Sequence, residues 1–221
     1  MKTKMKKILL LLCCALLLVS VSVGVTVAYL TSTSTEVKNT FTIGDVKIDL
    51  DEAAVEYNAA DNTYVDKGTR VQQNTYNILP GTVVYKDPTI TVDMNSENCY
   101  VRALVTITYP KGTFEADWLS APGNGWEIST TTATETTDAT TNEVTCTMVQ
   151  EYRYKTVVGK NTASDTVLSP IFTTLTIPTT LTNTDIAKLK DFKIDVVGHA
   201  IQAGGFADAD AAWTAFGTQI N

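Results

Sequence analysis

Histidine is almost absent from this sequence, because the 221 residues contain only one, His199. A zinc protease of the HEXXH type needs two histidines one helical turn apart, so this chain does not supply that centre. A Ser-His-Asp triad would need His199 as its base, but the residue lies in the strand-like segment "DVVGHAIQA", where a packed histidine is the simpler interpretation. Glycine-rich phosphate loops, CxxC pairs and basic patches with interleaved aromatics are also lacking. The sequence therefore predicts neither an enzyme nor a cofactor.

Basic residues are scarce as well. The chain has 17 lysines and arginines against 24 acids, a formal net charge of −7. Four of the lysines lie in the first seven residues, so a chain without them has 13 basic residues (17 − 4) and a charge of −11 (13 − 24). Such an acidic surface disfavours binding to nucleic acid or to an anionic membrane surface.

Cysteine occurs four times, and two of the four lie within the N-terminal apolar run. Cys99 and Cys146 remain for the rest of the chain. An oxidising exterior permits a disulfide between them, whereas two buried free thiols acting as small apolar groups are the alternative. The sequence leaves both possibilities open.

The N-terminus has the pattern of a secretory leader. "MKTKMKK" is basic, and the 21 residues from Ile8 to Ala28 carry no charge. That length exceeds the usual apolar region of a signal peptide and would also span a bilayer, so an N-terminal anchor is the alternative. Thr26 and Ala28 are small residues at the −3 and −1 positions of a cut before Tyr29. We predict a signal peptide over 1–28, and membrane contact only through an uncleaved leader.

Beyond residue 30 the hydrophobic period is two, which indicates strands. In "CYVRALVTITYP" (99–110), alternate residues from Cys99 to Ile107 are apolar and face one side. The segment "VTCTMVQEYRY" (144–154) alternates in the same way, and shorter runs occur at 41–50, 82–94, 171–178 and 192–203. Pro-Gly and other turn residues separate them. The pattern predicts one all-β domain over 29–221, an antiparallel β-sandwich that follows the signal helix.

Three segments depart from the strand pattern. Residues 129–142, "STTTATETTDATTN", predict a long exposed hairpin or a Thr-rich loop. Asp208 is placed to cap a short C-terminal helix with Trp213 and Phe216 on one side, and 183–192 predicts a further helical turn. In "DMNSEN", oxygens of Asp93, Asn95 and Glu97 would suit calcium, but the glycine and glutamate of an EF-hand loop are missing and such clusters also make turns.

Three motifs in this order resemble the TasA/camelysin group of secreted Gram-positive proteins. The first is the leader followed by "GVTVAYLTSTSTEVKNTFTIGDVKIDL", and the second is "NILPGTVVYKDPTITVDMNSENCYVRALV". The third is the closing "FKIDVVGHAIQAGGFADADAAWTAFG". They are distributed from the leader to residue 217, and none of them lies in the Thr-rich segment. The resemblance implies cleavage by a SipW-type signal peptidase, a jelly-roll fold and a role as a subunit of biofilm matrix fibres. Camelysin-type members have also been classed as metalloproteases, an assignment that the single histidine does not favour.

The residues after the predicted cut suit subunit contact. The segment 29–41 lacks glycine and proline and is rich in threonine, and its candidate anchors are Tyr29, Leu30, Val37 and Phe41. An extended peptide of this kind can add to the edge of a sheet in a second copy, or in a related matrix subunit. Head-to-tail addition does not close and produces filaments. The alternative is a flexible leader before the first strand.

A second hypothesis is a cell-surface adhesin or binding module. In it, the loop 111–128 would present Trp118 and Trp126 for stacking on a carbohydrate. Both hypotheses expect an extracellular protein.

Overall fold

The computed structural model describes residues 31–35, 38–39 and 46–219. The predicted cut at Ala28 and Tyr29, the anchors Leu30, Val37 and Phe41, and the rest of the leader lie outside these residues. Twelve strands are present in the described part: β1 (Thr31–Thr35), β2 (Lys38–Asn39), β3 (Ile48–Asn58), β4 (Thr63–Val71), β5 (Val83–Tyr85), β6 (Thr89–Val92), β7 (Cys99–Pro110), β8 (Trp126–Thr137), β9 (Val144–Tyr154), β10 (Thr166–Val167), β11 (Thr174–Thr176) and β12 (Lys193–Gln202).

The strands form two six-stranded sheets within the described chain. Sheet 1 has the order β2-β1-β12-β7-β9-β8, and sheet 2 has the order β10-β6-β3-β4-β5-β11. All pairings are antiparallel except the short β4–β5 pair, which is parallel. The predicted all-β sandwich is therefore confirmed.

Residues of both sheets share one core. In β7 the predicted alternation is confirmed, since Cys99, Val101, Ala103, Val105 and Ile107 are all buried and the residues between them are half-buried. They share a cluster with residues of sheet 2 such as Ile48 and Ile90. On β12, a Cβ atom at Gly198 would lie 3.1 Å from Ile90 and 3.4 Å from Ile48, so the sheets approach too closely there for a larger residue without a shift.

The strand hairpin β3–β4 was not predicted from the sequence. β4 buries only Tyr64 fully, and six of its nine residues are exposed, so it lacks a period-two pattern. A β-bulge interrupts its pairing with β3 between Ala53 and Val55. Asn62 adopts a positive φ of 57° in the connecting turn, a conformation that asparagine tolerates better than most residues. The residues of the connecting turn, such as Asn62, were the available sequence signal for this hairpin.

The Thr-rich segment forms a strand through most of its length. β8 continues to Thr137 and pairs with β9 along its whole length, with a register shift between Ile128 and Thr130. The hairpin alternative is therefore correct and the loop alternative is wrong for residues up to Thr137. Backbone pairing with β9 supplies the order that the side-chain pattern does not indicate.

Two short α-helices complete the described fold, as predicted. Helix α1 (Asn183–Lys188) begins with a capping box between Thr182 and Asp185, and the hydrogen bonds to Thr182 and Lys188 lower the pKa of Asp185 to about 2. Helix α2 (Ala209–Gln219) packs Trp213 and Phe216 against Ile201 on the outer face of sheet 1. Among the described residues, no helix is long and apolar enough to cross a membrane.

Asp208 caps α2 through its carboxylate, which accepts a hydrogen bond from the Ala211 N–H at 2.8 Å. We expect Asp208→Ala to lower the free energy of unfolding by about 1 kcal/mol, because one backbone donor at the helix N-terminus then loses its partner. Urea titration followed by tryptophan fluorescence measures the change. Asp208→Asn keeps an accepting oxygen and should stay close to the parent, whereas an equal loss in both variants would contradict a capping role.

Candidate functional site

At one side of sheet 1, β1 pairs with β12. Their antiparallel register pairs Thr31 with Ile201, Ser32 with Ala200, Thr33 with His199 and Ser34 with Gly198. β1 consists only of threonine and serine. Because such a strand brings little apolar surface, backbone hydrogen bonds are its main attachment.

β1 covers only part of the β12 edge. On its other side β12 pairs with β7 from Lys193 to Gln202, whereas the register with β1 ends at Gly198. The chain turns back after Thr35, because β2 pairs Lys38 with Thr35 and Asn39 with Ser34. Within the described chain, no strand pairs with residues 194–197 on the side away from β7. This stretch presents backbone donors and acceptors to an incoming strand.

A cavity of about 600 Å³ lies beside this unpaired part of β12, and we call it the β12 groove. One side is formed by β12 from Lys193 to Val196 and the other by the β3 residues Leu50, Asp51 and Glu52. The segment 72–78 and the region around α1 complete it. Its apolar lining residues are Leu50, Tyr76, Ile78, Leu175, Ile186, Leu189, Phe192, Ile194 and Val196. The groove thus combines apolar walls with a sheet edge that has no partner strand among the described residues, which is what an added strand requires.

A buried ion pair lies in the wall of the groove. The Lys86 ammonium donates to the Glu52 carboxylate, and both side chains are about nine-tenths buried. The Asn74 amide donates to Glu52 Oε1 and to the Ala53 carbonyl, both at 2.9 Å. These contacts connect the segment that closes the groove to β3. They satisfy charges that would be costly to leave alone in a buried site.

Tyr76 lies next to this pair. Lys86 Nζ is 5.8 Å from the centroid of the Tyr76 ring, and the buried Tyr76 hydroxyl has no hydrogen-bond partner among the described residues. Burial, together with the charge of Glu52, raises the pKa of Tyr76 well above its usual value. Tyr76 is therefore a neutral phenol near pH 7, and its hydroxyl is buried beside Asn74.

Arg70 forms a second ion-pair network, which includes the groove residue Asp51. Its guanidinium contacts Asp51 at 2.8 Å and Asp87 at 2.6 Å, and Asp87 also accepts the Ala53 N–H at 2.7 Å. The hydrogen bonds and charges of the two carboxylates raise the pKa of Arg70 despite the opposing effect of burial, the largest single influence. This network was not predicted from the sequence, because its members lie on different strands and no local pattern joins them.

The single histidine forms part of a packed cluster under α2. His199 Nδ1 accepts a hydrogen bond from Arg102 Nε at 3.2 Å, and its ring lies 4.7 Å from that of Phe216. The Arg102 guanidinium stacks 4.4 Å from the Trp213 ring and lies 3.6 Å from Glu151. Burial, reinforced by the Arg102 charge, lowers the pKa of His199 to about 4. His199 is therefore neutral near pH 7 and contributes to the attachment of the helix.

The aromatic platform expected for a carbohydrate-binding loop is not formed. Trp118 is 7% exposed and packs against Phe114 at 5.2 Å between ring centroids. Trp126 is 2% exposed and donates its indole N–H to the Ser169 carbonyl at 2.7 Å. The exposed tryptophans that the binding-module hypothesis requires are therefore absent, because both indoles lie in the sandwich core, which is the simpler interpretation of these residues.

Cys99 and Cys146 are both buried free thiols. Cys99 begins β7, whereas Cys146 pairs with Tyr109 near its other end. Ten residues of strand separate these positions by roughly 33 Å, so an intramolecular disulfide is excluded. Burial raises the pKa of the Cys99 thiol to about 12, which leaves it protonated and unreactive at neutral pH.

The polar loop with Asp93, Asn95 and Glu97, whose oxygens would suit calcium, makes contacts within the protein. Glu97 pairs with Lys160 at 2.5 Å, and Asn95 adopts a positive φ of 67° within a turn. In the part of the chain that the structure describes, no three His, Cys, Asp or Glu side chains are grouped to hold a metal ion.

No family model, no curated protein and no solved structure matches the chain.

Proposed function

We propose that this protein is a secreted structural subunit of extracellular matrix fibres, and that it polymerises by exchange of its N-terminal strand. The observation that supports this most is the β1 edge: a polar, five-residue strand paired with β12 through four register positions, next to an open groove. In the exchanged form, β1 of one copy occupies the β12 edge of the next. The proposal assigns no catalytic activity to the chain.

Exchange of identical strands costs little, because β1 meets the same β12 residues in a second copy as it meets within its own. Each subunit then gives its strand to one neighbour and accepts a strand from another. Such a head-to-tail contact does not close on itself and produces a filament. Cleavage before Tyr29 would start the process, since a strand still attached to a membrane leader is not free to reach a partner.

The register also suggests why the exchanged form is favoured. If the β1–β2 hairpin opens, continuation of the same register sets Val37 opposite Asp195 and Asn39 opposite Lys193. Pairing then extends to residues 193–197 of β12. Val37 would lie on the face of sheet 1 that carries His199 and Ile201, whereas Ile194 and Val196 face the core. The incoming strand therefore gains backbone hydrogen bonds that the hairpin does not provide.

The jelly-roll arrangement is part of the same proposal. The chain changes sheets repeatedly, passing from β6 in sheet 2 to β7 in sheet 1, from β9 to β10, and from β11 to β12. Such crossings between two antiparallel sheets are typical of Greek-key and jelly-roll sandwiches. They also leave the β1–β2 hairpin at the edge of sheet 1, where exchange is possible.

Deleting residues 29–35 from the processed protein should give a folded monomer that no longer elongates, because the donated strand is missing. Size-exclusion chromatography and electron microscopy report assembly, and a cooperative unfolding transition reports folding. The double variant Ser32→Pro/Thr33→Pro should have the same effect, since it removes backbone donors on both sides of the strand.

The matched control is Thr31→Ser/Thr33→Ser/Thr35→Ser, which keeps every backbone donor and should elongate normally. Fibres of normal length from the deletion variant would refute the strand-exchange proposal.

A further inference from the structure

The opposite edge of sheet 1 is formed by β8. It pairs with β9 on one side, and no other strand of the described chain pairs with it. Every residue from Glu127 to Thr137 is exposed, although these residues form regular strand pairs with β9. A twelve-residue strand thus offers its outer row of backbone donors and acceptors to solvent.

Natural proteins usually protect such an edge with proline, bulges, charges or a covering loop. From Thr130 to Thr137, β8 has no proline and no glycine, and it is dominated by threonine, which favours strands. Its one charge there, Glu135, is bridged by Lys111 at 2.9 Å. The bulge between Ile128 and Thr130 marks the beginning of this regular stretch and does not interrupt it. The edge therefore has the properties of a pairing surface.

A second copy of β8 can pair with this edge without opposing two carboxylates, and a register centred on Ala133 does so with its pairs inside the regular stretch Thr130–Thr137. A two-fold axis perpendicular to the sheet aligns β8 with a second β8 in antiparallel orientation, and it brings residues of the same face opposite each other. An axis at Glu135 would oppose two carboxylates, and an axis at Thr131 would oppose Glu127 and Glu135. An axis at Ala133 pairs Thr130 with Thr136 and Thr132 with Thr134, and it sets Glu135 opposite Thr131.

We infer that β8 is a self-association edge, which pairs antiparallel with β8 of a second copy about an axis at Ala133. The pairing joins two copies of sheet 1 into one continuous sheet. It uses the edge opposite to β1, so it does not depend on strand exchange. In a filament built through β1, it would link neighbouring filaments side by side.

Crosslinking tests the register in the full-length processed chain. Facing residues of an antiparallel pair have Cα atoms about 4.5–5.5 Å apart, within the range of a disulfide. Ala133→Cys should therefore form covalent dimers on mild oxidation, whereas Ala139→Cys in the adjacent turn, the same substitution of the same residue type, should not. The unmodified chain, which has only buried thiols in its described part, is the background control.

Charge reversal tests the pairing itself. Thr132→Lys/Thr134→Lys sets lysine opposite lysine at two facing pairs, so its dimer should be about tenfold weaker in analytical ultracentrifugation. Thr132→Glu/Thr134→Glu should be weakened in the same way. An equimolar mixture of the two variants should recover dimers, because each lysine then faces a glutamate.

The inference is overturned if the lysine variant dimerises like the parent or if the mixture gives no recovery. Equal crosslinking at positions 133 and 139 would overturn the proposed register and with it the two-fold pairing. The result is separable from strand exchange: deletion of residues 29–35 should abolish elongation but leave the Ala133→Cys dimer intact.

Discussion

Replacing Lys86 with methionine is expected to lower the free energy of unfolding by about 3–5 kcal/mol. The substitution conserves much of the side-chain volume but leaves the Glu52 carboxylate buried without its cation. A buried charge without a partner is among the costliest defects in a folded protein, and Asn74 alone supplies one hydrogen bond to that carboxylate. Urea unfolding followed by tryptophan fluorescence should show a lower midpoint with little change in slope.

Two variants separate this explanation from a general loss of packing. The double variant Lys86→Met/Glu52→Leu should recover most of the stability, because both buried charges are then absent. Lys111→Met breaks an exposed ion pair with Glu135 and should leave the free energy of unfolding nearly unchanged, because solvent screens that pair. A similar small cost for Lys86→Met would show that water reaches the pair and would contradict the closed wall described for the groove.

Lowering the pH from 7 to 4 is expected to remove about 3 kcal/mol of stability through His199 alone. The pKa of His199 is lowered to about 4 in the folded protein, whereas an unfolded histidine has its usual pKa of about 6.5. Between these values the unfolded chain binds a proton that the folded chain does not. The contribution is therefore complete above pH 6.5, declines as the pH falls, and changes no further below about 4.

His199→Gln isolates this effect, because the sequence contains no other histidine. Glutamine removes the titration but keeps an oxygen that can accept from Arg102. The difference between parent and variant in the free energy of unfolding should change by about 3 kcal/mol from pH 7 to pH 4. Parallel pH profiles for the two proteins would show that His199 protonates freely, and would contradict its packing beneath α2.

The loss of stability at low pH through His199 would also affect the pairing of β1 with β12. His199 lies opposite Thr33 in the β1–β12 register, and the groups that face it include Arg102 and Phe216. Glu151 lies beside Arg102 and partly offsets its charge. The cluster beneath α2 and the proposed donor strand β1 therefore both contact β12 at His199.

Much of sheet 1 was predictable from local patterns. β7 and β9 alternate apolar and polar residues because one face packs on sheet 2 while the other meets solvent or α2. Asp208 was identified as a helix cap from its position before an apolar pair at i,i+3 spacing. These features depend on residues within one turn or one strand, so the order of residues along the chain is enough to detect them.

Other features could not be detected in this way. β4 is exposed along most of its length, so its side chains carry no periodic signal. Trp118 and Trp126 lie in or next to a loop that contains glycine and polar residues, and only the packing of that loop on the core shows that their indoles are buried. The separation of Cys99 and Cys146 follows from their positions on paired strands, which sequence spacing does not reveal.

Hydrophobic period and capping are local properties of the chain, so the order of residues was sufficient to specify the all-β class, the strands with one buried face and the short helices. The pairing of β1 with β12, the meeting of Lys86 and Glu52 beside an open groove, and the unprotected β8 edge arise only when the strands assemble. Those relations join residues far apart in sequence. They depend on the order of strands in the sheets, which no local pattern encodes.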